Sequence, residues 1–453
     1  MIFFCLKFLF RISTKMYFRN LEVKGLEHIS ATGPVLLVAN HPSTFMDPVV
    51  IATTIQRRIY FLAKAEIFKS SFSKWILPKF NMIPIYRAQD DPTQLMKNKE
   101  TFAKSYEHLE NGGAILIFPE GISMTDRKLK KIKTGAARIA LGAEAECEFK
   151  LGVQIITVGL TYSNPHRFQS DLFINIDAPL HVSDYQERYT KDQFQAANDL
   201  TDAIRIHLEK QVVTIEDASR DKLVKNIEII YKSQLIKDLG YSAKVKEHDF
   251  LVTRAISERV HYFYEHEPAR VERIRNTIDT YFTTLDRMQL KDKFLKRFPE
   301  NESIFLNSIW SFLYMTIGLP IFIFGFTNNY LPYKIPGWIT QKITKLPEFA
   351  GALAISLGTL TFLIFYGIQL WLMQHYFHTL WLTLVYLLLL PLTGLYAFFY
   401  WKRFTNIRGK WMIFSLFYKK TKLITSLMTM RQGIIDDLEK GRKEYTDKTV
   451  NVI

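Results

Sequence analysis

Three uncharged apolar runs dominate the last third of the chain: Ile304–Phe326, Phe349–Met373 and Phe377–Trp401. Each is long enough to cross the hydrocarbon of a bilayer as a helix. A single ordinary core does not absorb that much continuous apolar surface, so the chain is expected to join folded N-terminal units to C-terminal transmembrane helices. The last two runs meet at Gln374-His375-Tyr376 and read as a helical hairpin, closed by Lys402 and Arg403. The first run contains Gly318, Pro320 and Gly325, and the connection after it carries Lys334, Lys342 and Lys345. Lys and Arg beside membrane segments stay on the cytoplasmic side, which leaves the corner at 374–376 as the cheapest piece to translocate. Within a membrane region 301–403, the expectation is a spanning hairpin over 349–401, with 304–326 re-entrant or lying in the interface. Residues 404–453 then form a basic cytoplasmic tail that includes Lys410, Lys419, Lys420 and Lys422.

The opposite end is also apolar, but Lys7 and Arg11 interrupt it, and it lacks the basic start and cleavage site of a secretory signal. Residues 1–16 are expected to form an interfacial amphipathic helix, with a signal anchor as the alternative. A net charge of +15 suits nucleic acid, an anionic membrane or phosphorylated substrates. The apolar C-terminal third favours the membrane, and no nucleic-acid pattern accompanies the charge. Only Cys5 and Cys147 are present, so no disulfide framework is implied.

Residues 17–190 alternate strand-like and helix-like stretches. Apolar runs at 34–39, 58–63, 82–86, 114–118, 154–160 and 171–176 alternate with helical periodicity, as in 101–109 and 134–141. The expected fold class is α/β, a mostly buried β-sheet flanked by helices. Residues 191–300 are charged, with apolar positions at mixed three and four spacing, and read as a helical extension. His41, Arg87 and Glu120 each follow one of the strand runs, which is what one site at one sheet edge produces.

Asn40-His41-Pro42-Ser43-Thr44-Phe45-Met46-Asp47-Pro48 carries the chemistry. A histidine with a nearby aspartate is what general-base attack by a hydroxyl needs: the imidazole removes the proton, and the carboxylate fixes its tautomer. Five residues separate the pair, so both cannot lie on one helical face. His41 is expected on the turn before a helix and Asp47 in its first turn. Further blocks follow: Ile83-Pro84-Ile85-Tyr86-Arg87, then Ile117-Phe118-Pro119-Glu120-Gly121-Ile122-Ser123, then Ile155-Ile156-Thr157-Val158-Gly159-Leu160.

These four ordered blocks resemble the glycerolipid acyltransferases of the PlsC type, over roughly residues 17–185. The family more often has four residues between His and Asp. The five-residue gap and the Asp-Pro after it resemble the branch acting on glycerol 3-phosphate and dihydroxyacetone phosphate, which also carries a membrane C-terminus. Thr157 stands where the family usually has Pro. The resemblance implies transfer of an acyl group from acyl-CoA or acyl carrier protein to glycerol 3-phosphate or lysophosphatidate at a lipid bilayer, with no cofactor and no metal. Acylation of another lysolipid, or a non-catalytic lipid-binding relative, are the alternatives.

On that resemblance His41 is the base and Asp47 its orienting acid. Arg87 offers a planar fork to the acceptor phosphate. Glu120, Gly121 and Ser123 belong to the acceptor site, Glu120 as a partner for glycerol hydroxyls. Lys133, at the end of Arg127, Lys128, Lys130 and Lys131, and Arg167, in His166-Arg-Phe-Gln-Ser170, are the further phosphate contacts. No nucleophilic thiol is required, and Glu146 and Glu148 beside Cys147 disfavour a thiolate there. His375 and His378 lack acidic partners for a metal. Neither a Gly-x-Ser-x-Gly elbow nor a phosphate-binding Gly-Lys-Ser/Thr loop occurs.

Overall fold

The computed structural model describes residues 2–87, 90, 92–296, 304–419 and 421–450; the expected 300/301 boundary and Lys420 lie outside the described residues. The N-terminal part runs α1 (Ile2–Tyr17), β1 (Phe18–Lys24), β2 (Val35–Ala39), α2 (Met46–Thr54), β3 (Ile59–Lys64), α3 (Ser71–Ile76) and β4 (Met82–Ile85). It continues through α4 (Asn98–Glu110), β5 (Ala114–Ile117), α5 (Gly135–Glu146), β6 (Gln154–Tyr162), β7 (Ser170–Ile176), β8 (Leu180–His181), α6 (Gln186–Lys191) and α7 (Gln193–Gln211). The strands make one mixed sheet in the order β1-β7-β6-β2-β5-β3-β4, with β8 on β6. β6, β2, β5, β3 and β4 are parallel, while β7 and β8 run antiparallel to β6. All six expected runs are strands. β1 and β8 were not anticipated: Arg19, Glu22 and Lys24 interrupt the apolar signal of β1, and β8 has only two residues.

β2 and β5 are buried at every position, because helices cover both faces of the sheet. The alternation of the pleat divides their side chains between two cores. Leu36, Val38, Ile115, Ile117 and Ile155 pack with Leu109 of α4, Ile139 of α5 and Leu200 and Ile204 of α7. Val35, Leu37, Ala39, Leu116 and Ile156 pack with Tyr17 of α1 and Met46, Val50 and Ile51 of α2. Each fully buried Leu or Ile contributes roughly 1.5–3 kcal/mol. α7 lies beyond the expected boundary at 190 yet fills the first of these cores, so the sheet domain extends past that point.

The chain divides into two compact units. The first comprises residues up to Asp217 with Lys244–Phe250 and Thr340–Thr359. The second comprises Ala218–Ala243, Leu251–Ile339 and the chain from Leu360 onward. The remaining helices are α8 (Ala218–Ile227), α9 (Ser233–Asp238), α10 (Lys246–His266), α11 (Pro268–Arg287), α12 (Asp292–Leu295), α13 (Ile304–Ile343), α14 (Pro347–Phe377), α15 (Leu380–Lys419) and α16 (Thr421–Val450). In the second unit α16 docks on the helices that precede α13. Arg431 Nε donates to Asp292 Oδ1 at 2.8 Å, Tyr281 donates to the same oxygen at 2.7 Å, and Arg270 pairs with Glu444.

Among the described residues three helices, within α13, α14 and α15, are long and apolar enough to cross a membrane. The corner expected at 374–376 falls later, at His378 and Thr379, where His378 takes the left-handed conformation (φ 50) and ends α14. The run expected to re-enter over 304–326 contains no reversal, since α13 continues to Ile343 despite Pro320, Pro332 and Pro336. Each proline lacks an N–H and frees the carbonyl four residues earlier. Two of these carbonyls gain a partner from α14: Gln369 Nε2 donates to Asn328 O at 3.0 Å, and Thr361 Oγ1 donates to Pro332 O at 2.9 Å. Those bonds meet the rule that backbone groups in lipid be satisfied within the protein.

Candidate active site

Parallel strands deliver their C-terminal ends to one edge, and β2, β4 and β5 therefore place His41, Arg87 and Glu120 there together. β6 runs on past that edge. Asn40 clamps the overrun, its Nδ2 donating to Leu160 O at 3.1 Å and its Oδ1 accepting from Leu160 N at 2.7 Å. The clamp holds β6 so that Tyr162, two residues on, reaches the loop after β2.

That loop turns within Pro42–Phe45 and enters α2 with Asp47 in its first turn, as the spacing required. Asp47 is completely buried and gathers three donors. Its Oδ2 accepts from His41 Nδ1 at 2.8 Å and from Ser43 N at 2.7 Å, and its Oδ1 accepts from the Tyr162 hydroxyl at 2.7 Å. Since Asp47 acts as acceptor, Nδ1 of His41 carries the proton and Nε2 keeps its lone pair. The imidazole lies on the Phe118 ring, with centroids 3.9 Å apart and planes within 14°. Its side chain is 18% exposed, and among the described residues Nε2 has no hydrogen-bond partner. Burial and the adjoining Asp47 charge push the Tyr162 hydroxyl well above its ordinary range, so it stays a donor.

Glu120 sits behind the loop and not in front of it. Its Oε1 accepts from His41 N at 3.0 Å and its Oε2 from Lys130 N at 2.9 Å. Burial raises its pKa, and these two backbone donors offset part of the rise. With both oxygens occupied, Glu120 in this state braces the His41 backbone; the expected contact with glycerol hydroxyls does not follow from its position. Ser123 likewise supports the loop, its Oγ accepting from Thr44 N at 2.8 Å.

The cationic side is formed by Arg87 and Lys133, which meet at Gly121. Gly121 has φ +68, a conformation that favours glycine, and a Cβ there would lie 2.8 Å from Lys133 Nζ, the movable end of a flexible side chain. Arg87 donates to the Gly121 carbonyl. Its fork, expected to be open for a phosphate, is closed bidentately on Asp90, at 2.6 Å from Nε and 2.9 Å from Nη2. Burial opposes ionisation of Asp90, but its bonds and charge contact with Arg87, joined by Lys64, outweigh it and hold the carboxyl below its usual range. Partial burial and the neighbouring Arg87 charge lower Lys133, and Asp90 counters them in part. Arg167 is exposed on the β6–β7 turn, and among the described residues nothing joins its side chain to the His41 cluster. Cys147 is raised by burial first and by Glu110 next, Glu110 Oε1 lying 3.8 Å from its sulfur.

Sequence reasoning missed Tyr162 and Asp90. Tyr162 lies two residues beyond the fourth block on the same strand, so strand parity was the available signal. Asp90 follows Arg87 by three residues, a spacing that allows the pair without requiring it.

Residues 20–161 match the Acyltransferase family model. The chain is 22% identical over 392 residues to glycerol-3-phosphate O-acyltransferase 1 of Saccharomyces cerevisiae, covering 67% of this chain and 50% of that protein. It is 26% identical over 144 residues to the chloroplastic 1-acyl-sn-glycerol-3-phosphate acyltransferase LPAT1 of Arabidopsis thaliana, covering 32% of this chain and 36% of that protein. The solved 1-acyl-sn-glycerophosphate acyltransferase PlsC of Thermotoga maritima superposes with a TM-score of 0.30 at 20% identity, over 44% of this chain and 79% of that one. The match to the family model lies within the sheet domain and spans less than half of the chain. It spans about half the length or less of the curated relatives it matches.

Proposed function

We propose that this protein is a membrane-bound O-acyltransferase. It moves a fatty acyl group from the thioester of coenzyme A or acyl carrier protein to a hydroxyl of glycerol 3-phosphate or 1-acylglycerol 3-phosphate. The observation that carries this reading is the His41 imidazole, held by Asp47 at Nδ1 and open at Nε2, on the same sheet edge as Arg87 and Lys133. The acceptor O–H gives its proton to Nε2 while its oxygen attacks the thioester carbonyl. Collapse of the tetrahedral intermediate breaks the C–S bond, and the departing sulfur takes the proton back from the imidazolium as free thiol. Asp47 stabilises that imidazolium. A phosphate replaces the Asp90 carboxylate on the Arg87 fork, exchanging one bidentate anion for another.

Membrane attachment is multi-pass in this reading, with the catalytic domain on the cytoplasmic face. Two contacts support an even number of crossings. α16 docks on α11 and α12, so the chain before α13 and after α15 shares one side. Within the first unit Thr44 Oγ1 donates to Glu348 O at 2.9 Å, which seats the start of α14 beside the catalytic loop. α14 and α15 then cross as a hairpin.

Thiol release by the purified full chain, measured with glycerol 3-phosphate, lysophosphatidate and non-phosphorylated acceptors, tests the assignment. His41→Ala is expected to lower turnover roughly 10²–10⁴-fold, the contribution of a general base. Unchanged turnover makes the protein a lipid-binding relative instead. Activity confined to non-phosphorylated acceptors removes the phosphate role of Arg87.

A further inference from the structure

We infer that the excursion between β3 and β4, residues 65–80, is a second membrane-contact element that presses the sheet domain onto an anionic phospholipid surface. It consists of α3 flanked by short turns at Ala65–Phe68 and Leu77–Phe80. Phe72 is 70% exposed and Trp75 58%, on a helix of six residues. Two large aromatic side chains offered to water this closely have no folding rationale. They are also held in place. Ser70 caps α3 by accepting from Ser73 N at 3.0 Å, Phe72 and Trp75 pair at 6.2 Å, and Lys79 Nζ stands 3.4 Å over the Trp75 ring. Lys69, Lys74 and Lys79 surround the aromatics and are exposed, and no Asp or Glu occurs from Ile67 to Gln89. An aromatic pair ringed by lysines suits the headgroup layer, where rings sit at the interface and ammonium groups meet acidic lipids.

The topology places this element on the correct face. β2 to β3 and β3 to β4 are parallel crossovers that step the same way across the sheet, so right-handed connections put α2 and residues 65–81 on one face. The return steps, through α4 and α5, run the other way, and those helices do line the opposite core. The face bearing α2 also bears α1 and the first turns of α14, whose Ala352 and Ile355 enter its core. On α1, Phe8, Ile12 and Met16 are exposed four residues apart, a stripe along one side of the helix. One face of the sheet domain thus carries an apolar stripe, the root of an apolar helix and the Phe72–Trp75 knob, and a bilayer surface accommodates all three.

The inference rests on the membrane attachment proposed above and needs no turnover for its test. The full chain carrying Cys5→Ser, Cys147→Ser and Phe72→Cys is labelled with an environment-sensitive dye and reconstituted into phosphatidylcholine vesicles with or without phosphatidylglycerol. Lys74→Cys serves as a second label position. Expected results are a blue-shifted emission, quenching by brominated acyl chains, and iodide access reduced at least about threefold in the anionic vesicles relative to detergent. Changing Lys69 and Lys79 to Gln returns iodide access. If the chain floats with vesicles while the dye stays fully open to iodide, the inference fails and the attachment reading stands. Protection that appears only on adding acyl carrier protein makes the surface a protein-docking site and also overturns it. A chain that does not float with the vesicles overturns the attachment reading itself.

Discussion

Asp47 is where the residue-scale argument concentrates, because a buried carboxylate keeps its charge only if its oxygens are fully engaged. Of its three donors, Tyr162 is the one that can be removed cleanly, since Phe keeps the ring and its packing against Phe18. Tyr162→Phe is expected to lower kcat about tenfold, the effect of one hydrogen bond to a charged group, and to lower the melting temperature, since an unsatisfied buried carboxylate oxygen costs about 1–3 kcal/mol, while KM changes little. Glu120 gives a prediction in pH. Its pKa is raised by burial, so relative to the unfolded chain its protonated form is favoured in the fold. The stability it contributes is therefore complete below about pH 4, near its unfolded value, and is lost as pH rises through the higher folded value. Against Glu120→Gln, which does not titrate, the thermal-stability advantage of the native protein should shrink as pH rises from about 4. The histidine and aspartate were legible in the sequence because their spacing admitted one arrangement only. The engagement of Arg87 by Asp90 and of Glu120 by backbone amides was not. Side-chain partners across a sheet edge depend on strand register, which no local pattern encodes.

At the scale of elements, glycine positions show which helix faces are committed. A Cβ on Gly351 would lie 2.2 Å from the Pro165 carbonyl oxygen, a backbone atom that cannot swing aside. At Gly367, sixteen residues further along α14, nothing lies within 4 Å. Gly351→Ala should cost about 1–3 kcal/mol through overpacking and lower activity by shifting the start of α14, whose Glu348 carbonyl holds Thr44. Gly367→Ala should be neutral or slightly stabilising, as Ala favours helix. Thermal shift and thiol release on the two variants decide the matter. Strand elements were readable because burial on both faces forces continuous apolar β-branched runs, and this exposed all but the charged edge strand β1 and the two-residue β8. Helix ends within the apolar region were less readable. Apolar composition continues across them, and the break at His378 depends on one left-handed residue.

Across the whole molecule, the proposed number of crossings rests on which soluble pieces of the second unit touch. The Arg431–Asp292 and Arg270–Glu444 pairs tie the C-terminal helix to helices that precede the apolar region. Single cysteines placed at residue 345 and at residue 432, in a chain with Cys5 and Cys147 replaced, should both react with an impermeant maleimide from the side that bears the catalytic domain. A cysteine at residue 378 should react only from the other side, and labelling of residue 432 from that side refutes the hairpin. The charge pattern had suggested such a hairpin, although it placed the corner slightly early. The seating of Glu348 on Thr44 of the catalytic loop, and of Gly351 on Pro165 of the β6–β7 turn, has a kinetic consequence under the proposed function. Were the acceptor a lipid, as proposed, it would reach such a loop sideways through one leaflet, and its effective concentration would be a mole fraction in the film. Diluting that film with inert phospholipid should slow the reaction even when the amount per millilitre is held constant.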